Sequence, residues 1–273
     1  MPARTRSATK KFLKRYRGWF GRGNYNGTQS FYTFSQPIAN RRMIQEHIKS
    51  LVSDPKAAHA LEIGPGTTPT LPLTGFRQIH FMDADPRILQ QLRNAPVKIT
   101  LKEPDAPRNA RTTFTRPLFE FANQRAHFLV GDLRELPFSN KKPFDLIVVN
   151  EVLTHIRPIQ RMRIISSLAD RTKALVILDR THIPIAEMLS RFKEAARVNR
   201  RWADIVPKQA AKWREIADAQ ERLTTHDARQ EQQRRIRFDL LARTLARKGW
   251  MVETIPLEDH NESYILLKAR KQG

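Results

Sequence analysis

The sequence contains no cysteine among its 273 residues, which excludes a disulfide-stapled scaffold, a thiolate metal site and a cysteine nucleophile. Long apolar runs are also missing. The longest, Leu146 to Val149 and Ala174 to Leu178, fall far short of the roughly 18 residues that a membrane-spanning helix requires. Acidic side chains are absent from residues 1–45, where ten Lys or Arg precede the first carboxylate, Glu46.

What is present suits a globular protein. Hydrophobic residues make up 40% of the chain, with 14 Phe and 4 Trp, enough to bury a core in one large or two small domains. Lys and Arg number 49 against 27 Asp and Glu, giving a net charge of +22 and an isoelectric point near 11.0. The excess is concentrated: residues 1–45 carry +10, and residues 185–238 hold thirteen bases against eight acids. Two such basic arms produce a local field that draws polyanions, whether nucleic acid or an anionic lipid surface.

Residues 10–20 place Phe12, Leu13, Tyr16, Trp19 and Phe20 at helical spacing among Lys and Arg, a short basic amphipathic helix. Four readings remain open for it: a nucleic-acid arm, an interfacial membrane helix, an organellar targeting sequence, or a terminal helix docked on its own domain. Residues 21–35 read as loop. Beyond them the spacing predicts a helix over 37–52, a strand over 58–63, a strand over 78–82 and a helix over 86–93. Residues 95–125, with Pro96, Pro104, Pro107 and Pro117, read as a loop-rich insertion. Strands over 127–130, 144–149 and 174–178, with a helix over 157–169, continue an alternation that argues an α/β fold with a parallel, doubly wound sheet. Residues 184–225 depart from it as two inserted helices broken at Pro207. One last helix over 230–248 leads to a closing hairpin of strands 250–257 and 263–269.

Four motifs fall on this frame. Leu61-Glu62-Ile63-Gly64-Pro65-Gly66-Thr67-Thr68 is a glycine turn at a strand end, where missing side chains let a ligand approach the backbone. Asp83 ends the next strand, Gly131-Asp132 follows the third, and Phe144 to Asn150 is the fourth. A dehydrogenase turn would require a glycine at Thr67 or Pro69, and no Gly-Lys-Ser/Thr follows to make a phosphate loop. Together the motifs resemble the class I S-adenosylmethionine-dependent methyltransferases over residues 45–180, and the closing LARKGWMVETIPL and SYILLKAR look like that family's last helix and terminal hairpin.

The resemblance implies a Rossmann-like seven-stranded sheet with a C-terminal antiparallel hairpin. The organisation expected from it is a basic arm over 1–45 and a methyltransferase domain over 46–273, with insertions at about 95–125 and 184–225. S-adenosylmethionine is the implied cofactor. Glu62, Gly64 and Gly66 would belong to the loop beneath its methionine part, and Asp83, with Ala84 beside it, would bind the ribose hydroxyls. Asp132 would accept from the adenine amine with the Leu133 backbone alongside, and Asn150 would open toward the reacting methyl. Three departures stand out: Thr68 replaces the usual third glycine, the span from Asp83 to Asp132 is long, and Asn150-Glu151-Val152 is not the Asn-Pro-Pro-aromatic signature of amino-methylating nucleic-acid enzymes. The last speaks against an exocyclic base amine as acceptor.

Methyl transfer from a sulfonium is a direct displacement, so the protein mainly aligns nucleophile and methyl and excludes water. A base is needed only when the acceptor is a hydroxyl or a protonated amine. Glu151 and His155 are the candidate catalytic residues, with Asp179 and His182 also at carboxyl ends of strands, where ligands of open α/β sheets bind. No pair of the eight His has a ligand spacing such as HxxxH, so no metal is expected. The insertion over 184–225 leaves from the cofactor face, and its Arg191, Lys193, Arg197, Arg200 and Arg201 could follow a phosphate backbone, with Trp202 and Trp213 stacking or anchoring. RNA is therefore the expected acceptor, held by residues 1–45 and 184–225. The alternatives are a small-molecule or lipid methyltransferase held at an anionic membrane through residues 10–20, and a non-catalytic RNA-binding or assembly factor. A cytoplasmic place is expected, an organellar one if the arm is a targeting sequence.

Overall fold

Aliphatic runs buried on both faces mark the central strands of this protein, and its computed structural model shows how they are ordered. The structure describes residues 38–66, 69–72, 76–94, 96–101, 112–117, 126–136, 143–205, 207, 210–258 and 263–271. The amphipathic helix expected over residues 10–20 lies outside them. The first element is helix α1 (Ile38–Ser50), whose Ile44 and Ile48 are buried in the core. Strands β1 (His59–Ile63) and β2 (Gln78–Asp83) precede helix α2 (Pro86–Asn94).

Next comes a departure from the loop expected over 95–125. β3 (Pro96–Leu101) and β4 (Thr112–Pro117) form a separate antiparallel pair, with Pro96 opposite Pro117. The two prolines bracket the ladder instead of interrupting it, and the β-branched Val97, Ile99, Thr113 and Thr115 between them favour extended backbone. β5 (Ala126–Val130), β6 (Phe144–Asn150), a 3₁₀ turn (Leu153–His155), α3 (Pro158–Ala169) and β7 (Thr172–Arg180) resume the alternation. The insertion supplies α4 (Ile185–Ile205) and α5 (Ala210–Glu221). The chain closes with α6 (Thr225–Arg234), α7 (Phe238–Arg247), β8 (Trp250–Glu258) and β9 (Ser263–Lys271).

The single last helix expected over 230–248 is thus two. Thr224 and Asp227 form a capping box that starts α6, and Ile236 then leaves the helix to join the sheet edge. Its N–H donates to the Arg180 carbonyl at 2.9 Å, and its carbonyl accepts from the His182 N–H at 3.0 Å. Ile236 is 1% exposed, so burying its side chain and pairing its backbone outweigh helical continuity.

The seven strands run in the order β5-β2-β1-β6-β7-β9-β8. The first five are mutually parallel, and β9 is antiparallel to both β7 and β8. Strand order reverses between β1 and β6, which opens a crevice at their carboxyl ends. One core layer packs α3 and α7 against the sheet through Ile164, Ile165, Leu168, Phe238, Leu241 and Leu245. The other packs α1 and α2 on the opposite face through Ile44, Ile48, Leu89 and Leu92.

Candidate functional site at the carboxyl ends of the strands

β1 runs straight into the glycine turn, and backbone geometry explains the glycines. Gly64 has φ +73°, and its N–H donates to the Met82 carbonyl at 2.9 Å. A Cβ at this position would lie 2.1 Å from Val152 Cγ2 and 2.7 Å from the Asn150 carbonyl oxygen, so no larger residue fits. Gly66 has φ +56°, but a Cβ there would meet nothing within 4 Å. The first glycine lets β1 and β6 close together, and the second faces open space.

Glu62 is fully buried and shapes this loop. Its Oε1 accepts from the Thr70 N–H at 2.7 Å and its Oε2 from the Leu71 N–H at 2.9 Å, tying the far end of the turn back to β1. The Thr70 hydroxyl in turn accepts from Asn150 Nδ2 at 2.9 Å. Asn150 Oδ1 is buried and accepts no hydrogen bond. A buried acceptor left unmade costs about 1–3 kcal/mol, and at a strand's carboxyl end it suits a donor on a ligand.

Asp83 ends β2 beside this turn. Its carboxylate accepts from the Asp85 N–H at 2.9 Å and from the Ala84 backbone, yet no cation contacts it among the described residues. Burial raises its pKa from 3.8 to about 6 against those backbone donors. Asp132 follows β5, where the Gly131 N–H donates to the Asp83 carbonyl at 3.0 Å. The Asp132 carboxylate is held by the Nε and Nη2 of Arg134 and by the Arg134 N–H at 2.8 Å. An incoming amine would share that carboxylate with a guanidinium two residues along the chain. Leu133 is 5% exposed and packs into the core beside it.

Beyond β6, Glu151 has φ +51°, alone among described non-glycine residues in the left-handed region. Its N–H continues the ladder to the Leu178 carbonyl at 2.8 Å. The following turn is pinned by Asp179. That wholly buried carboxylate accepts from the Thr154 N–H at 3.2 Å, the Arg180 N–H at 2.8 Å and the Leu153 backbone. Burial pushes its pKa up. His155 moves the other way, to about 4, through burial first and then the nearby Arg180, Arg234 and Arg161. His182 is exposed and takes part through its backbone.

Arg161 is a structural residue that spacing alone does not reveal. It is 6% exposed and donates to the carbonyls of Ile156, Arg235 and Arg234, joining the start of α3 to the end of α6. The insertion's arginines are likewise committed: Arg191 to Glu187, Arg197 to Glu194, and Arg200 to both Asp218 and Glu221. Lys193 and Arg201 form no ion pair with any described residue. A cavity of about 630 Å³ lined by Val52, His59, Asp145, Lys173 and Arg270 lies at the opposite, amino ends of the strands, away from all of these groups.

No protein-family model and no curated protein matches the sequence. Solved structures do resemble its fold. A magnesium protoporphyrin IX methyltransferase from Synechocystis PCC 6803 with bound SAH shares 12% identity over 97% of this chain and 96% of its own, with a TM-score of 0.53. The plantazolicin methyltransferase BpumL, in complex with a pentazolic desmethylPZN analogue and SAH, shares 12% over 97% and 99%, with a TM-score of 0.55. The methyltransferase domain of bacterial CtHen1 shares 13% over 86% and 99%, with a TM-score of 0.51. At these identities the likeness is one of fold: the chain has the Rossmann-like class I methyltransferase fold.

Proposed function

We propose that this chain transfers a methyl group from S-adenosylmethionine to an acceptor in RNA by direct displacement. The supporting observation is a set of groups with unmet capacity at the carboxyl ends of β1, β2 and β6. Asn150 Oδ1 is buried without a donor, Gly66 borders open space, and Asp83 is a desolvated carboxylate with no cation against it among the described residues. A ribose diol would give Asp83 two O–H donors, the Gly64 to Gly66 turn would leave room for the methionine chain, and Asn150 Oδ1 would take an N–H or O–H donor. When bound, the cofactor supplies an electrophilic methyl on a sulfonium.

The chain's own residues then have separable tasks. Glu62 fixes the loop, and Asp179 fixes the 3₁₀ turn that bears His155. His155, at a pKa of about 4, is neutral at physiological pH and binds a proton too weakly to serve a hydroxyl nucleophile well. Glu151, at the carboxyl end of β6, is the carboxylate that would accept a proton where the nucleophile has one to lose, while Asp179 is enclosed by backbone amides. The RNA reading is supported by the net charge of +22 and by the acid-free residues 1–45.

Labelled methyl from S-adenosylmethionine, added with the protein to a lysate lacking it, tests both halves once the lysate is separated into RNA, lipid, protein and small molecules. Label is expected in RNA and should vanish with Asp83→Ala. Label in lipid or small molecules would replace RNA as the acceptor, and absence of both label and cofactor binding would overturn the methyltransferase reading.

A further inference from the structure

The structure separates two kinds of basic surface that look alike in sequence. The α4–α5 insertion, residues 185–221, holds eight Lys or Arg against six acids, and its arginines are largely neutralised by Glu187, Glu194, Asp218 and Glu221. Residues 157–170 and 225–248, which form α3, α6 and α7, hold ten Lys or Arg against four acids. All four acids are engaged within these segments or their immediate surroundings: Asp170 by Lys248, Asp227 by Thr224, Glu231 by Arg180 and Arg234, and Asp239 by Arg237. Arg157, Arg163, Arg243 and Arg247 are exposed and form no ion pair with any described residue; Arg243 is within electrostatic reach of Asp239, which Arg237 already holds.

These four arginines share one layer. α3 and α7 bury Ile164, Ile165, Leu168, Phe238, Leu241 and Leu245 in the same core, so their opposite sides face solvent together. The helices are tied at both ends, by Arg161 to the Arg234 and Arg235 carbonyls and by Lys248 to Asp170. Both begin at the carboxyl ends of the strands, α3 directly after the turn bearing His155 and α7 after Ile236 pairs beside Thr181. They then run back along the sheet, so Arg157 lies at the mouth of the crevice and the other three extend away from it. Arg163 lies in the second turn of α3, past its N-cap Arg157, and Arg247 stands about 6 Å along α7 from Arg243, at a rise of about 1.5 Å per residue. The α7 interval is comparable to the spacing of successive phosphates on a nucleic-acid strand, and arginine's planar fork matches phosphate oxygens.

We infer that the outer face of α3 and α7 is where the RNA backbone lies, tracked by Arg157, Arg163, Arg243 and Arg247 toward the crevice, and that the α4–α5 insertion is not the phosphate-binding element. This rests on the RNA reading above. The exposed apolar residues on this face, Ile159 and Leu240, are not aromatic, which makes it a poor interfacial membrane surface.

The test uses the full chain and a fluorescein-labelled single-stranded RNA of mixed sequence, with anisotropy followed across a potassium chloride series. A quadruple Arg157→Gln, Arg163→Gln, Arg243→Gln, Arg247→Gln variant should lower the slope of log affinity against log salt by about 3, at about 0.7 per lost phosphate contact. At near-physiological salt this amounts to roughly a hundredfold weaker binding. A Lys193→Gln, Arg201→Gln variant in the insertion should leave both unchanged, and SAH affinity by calorimetry should be the same in all three proteins. RNA binding by the parent protein with an unaltered slope in the quadruple variant would overturn this surface while leaving the RNA reading intact. No RNA binding by the parent, or binding to phosphatidylglycerol vesicles that the quadruple change abolishes, would overturn the reading on which it rests.

Discussion

Replacing Asp83 by Asn should stabilise the protein and at the same time weaken its cofactor. Burial holds the Asp83 carboxyl at a pKa of about 6 instead of 3.8, so the native state binds more protons than the unfolded chain between those values. Stability is therefore fully present below 3.8 and is lost as pH rises through about 6, after which the loss is constant. At about 1.4 kcal/mol per tenfold change, the displacement from 3.8 to about 6 amounts to about 3 kcal/mol at neutral pH and about half of that near pH 5. Asn keeps the acceptor for the Asp85 N–H without the buried charge. Urea unfolding of the apoprotein should show Asp83→Asn more stable by up to about 3 kcal/mol near pH 7.5, with the gain shrinking as the pH falls. SAH binding by calorimetry should weaken at least roughly tenfold in the variant, because two charge-assisted bonds to a diol become weaker neutral ones. In the parent protein the affinity should itself drop about tenfold per pH unit below about 6, since binding requires the ionised carboxylate. A variant that is less stable than the parent, or whose gain does not change with pH, would refute the claim that Asp83 is a desolvated, unpaired charge held in place for a ligand.

Gly64→Ala places a Cβ 2.1 Å from Val152 Cγ2 in a left-handed backbone and should destabilise by about 3 kcal/mol or more, measured by denaturant unfolding, whereas Gly66→Ala meets open space and should cost about 1 kcal/mol of backbone strain while reducing SAH affinity. Glu151→Gly relieves the left-handed strain at φ +51° and should leave thermal stability unchanged or up by about 1 kcal/mol, with methyl transfer reduced at least roughly tenfold; retained activity would remove Glu151 from the chemistry. His155, lowered from 6.5 to about 4 by burial, contributes stability that is present above 6.5 and lost as pH falls toward 4, so His155→Gln should flatten the acid limb of the unfolding profile by up to about 3 kcal/mol.

The parts of this molecule legible in its sequence are those where one physical signal dominates. Leu146 to Val149 and Ala174 to Leu178 are buried on both faces and could only be central strands, and Gly64 and Gly66 at the end of β1 mark a turn that side chains would block. The α3–β7 alternation followed from the same patterns. Local patterns stop being sufficient where a long-range partner overrides a local tendency. Nothing between Gln230 and Lys248 breaks the helical pattern, yet Ile236 leaves it because the Arg180 and His182 backbones, more than fifty residues earlier, offer hydrogen bonds and a buried position. Four prolines made residues 95–125 resemble a loop, although two of them merely frame an antiparallel ladder. Charge was misleading for a related reason: counting Arg191, Arg197 and Arg200 cannot show that Asp218 and Glu221, eighteen to twenty-one residues on, return across the helical hairpin to neutralise Arg200.

The unfavourable features of the fold collect in one place. At the carboxyl ends of β2 and β6, the two neighbours of β1 in the sheet, are a desolvated Asp83, a Glu151 in the left-handed region and an Asn150 oxygen without a donor. The neighbouring acids differ: Glu62 has backbone donors on both oxygens, Asp179 is ringed by amides, and Asp132 is held by Arg134. Folding alone gives no reason to bury the Asp83 charge without a counter-ion among the described residues, or the Asn150 oxygen without a donor, beside carboxylates that are fully served, because each lowers stability by about a kilocalorie or more. A ligand that donates to both removes those penalties as it binds, so it should stabilise the native state and order this edge of the sheet first. In hydrogen exchange with and without SAH, protection should rise at residues 64–72, 83–85 and 150–155 and stay level in α3 and α7. Protection spread evenly over the domain would mean that the three strained groups are not where the ligand's binding energy is used.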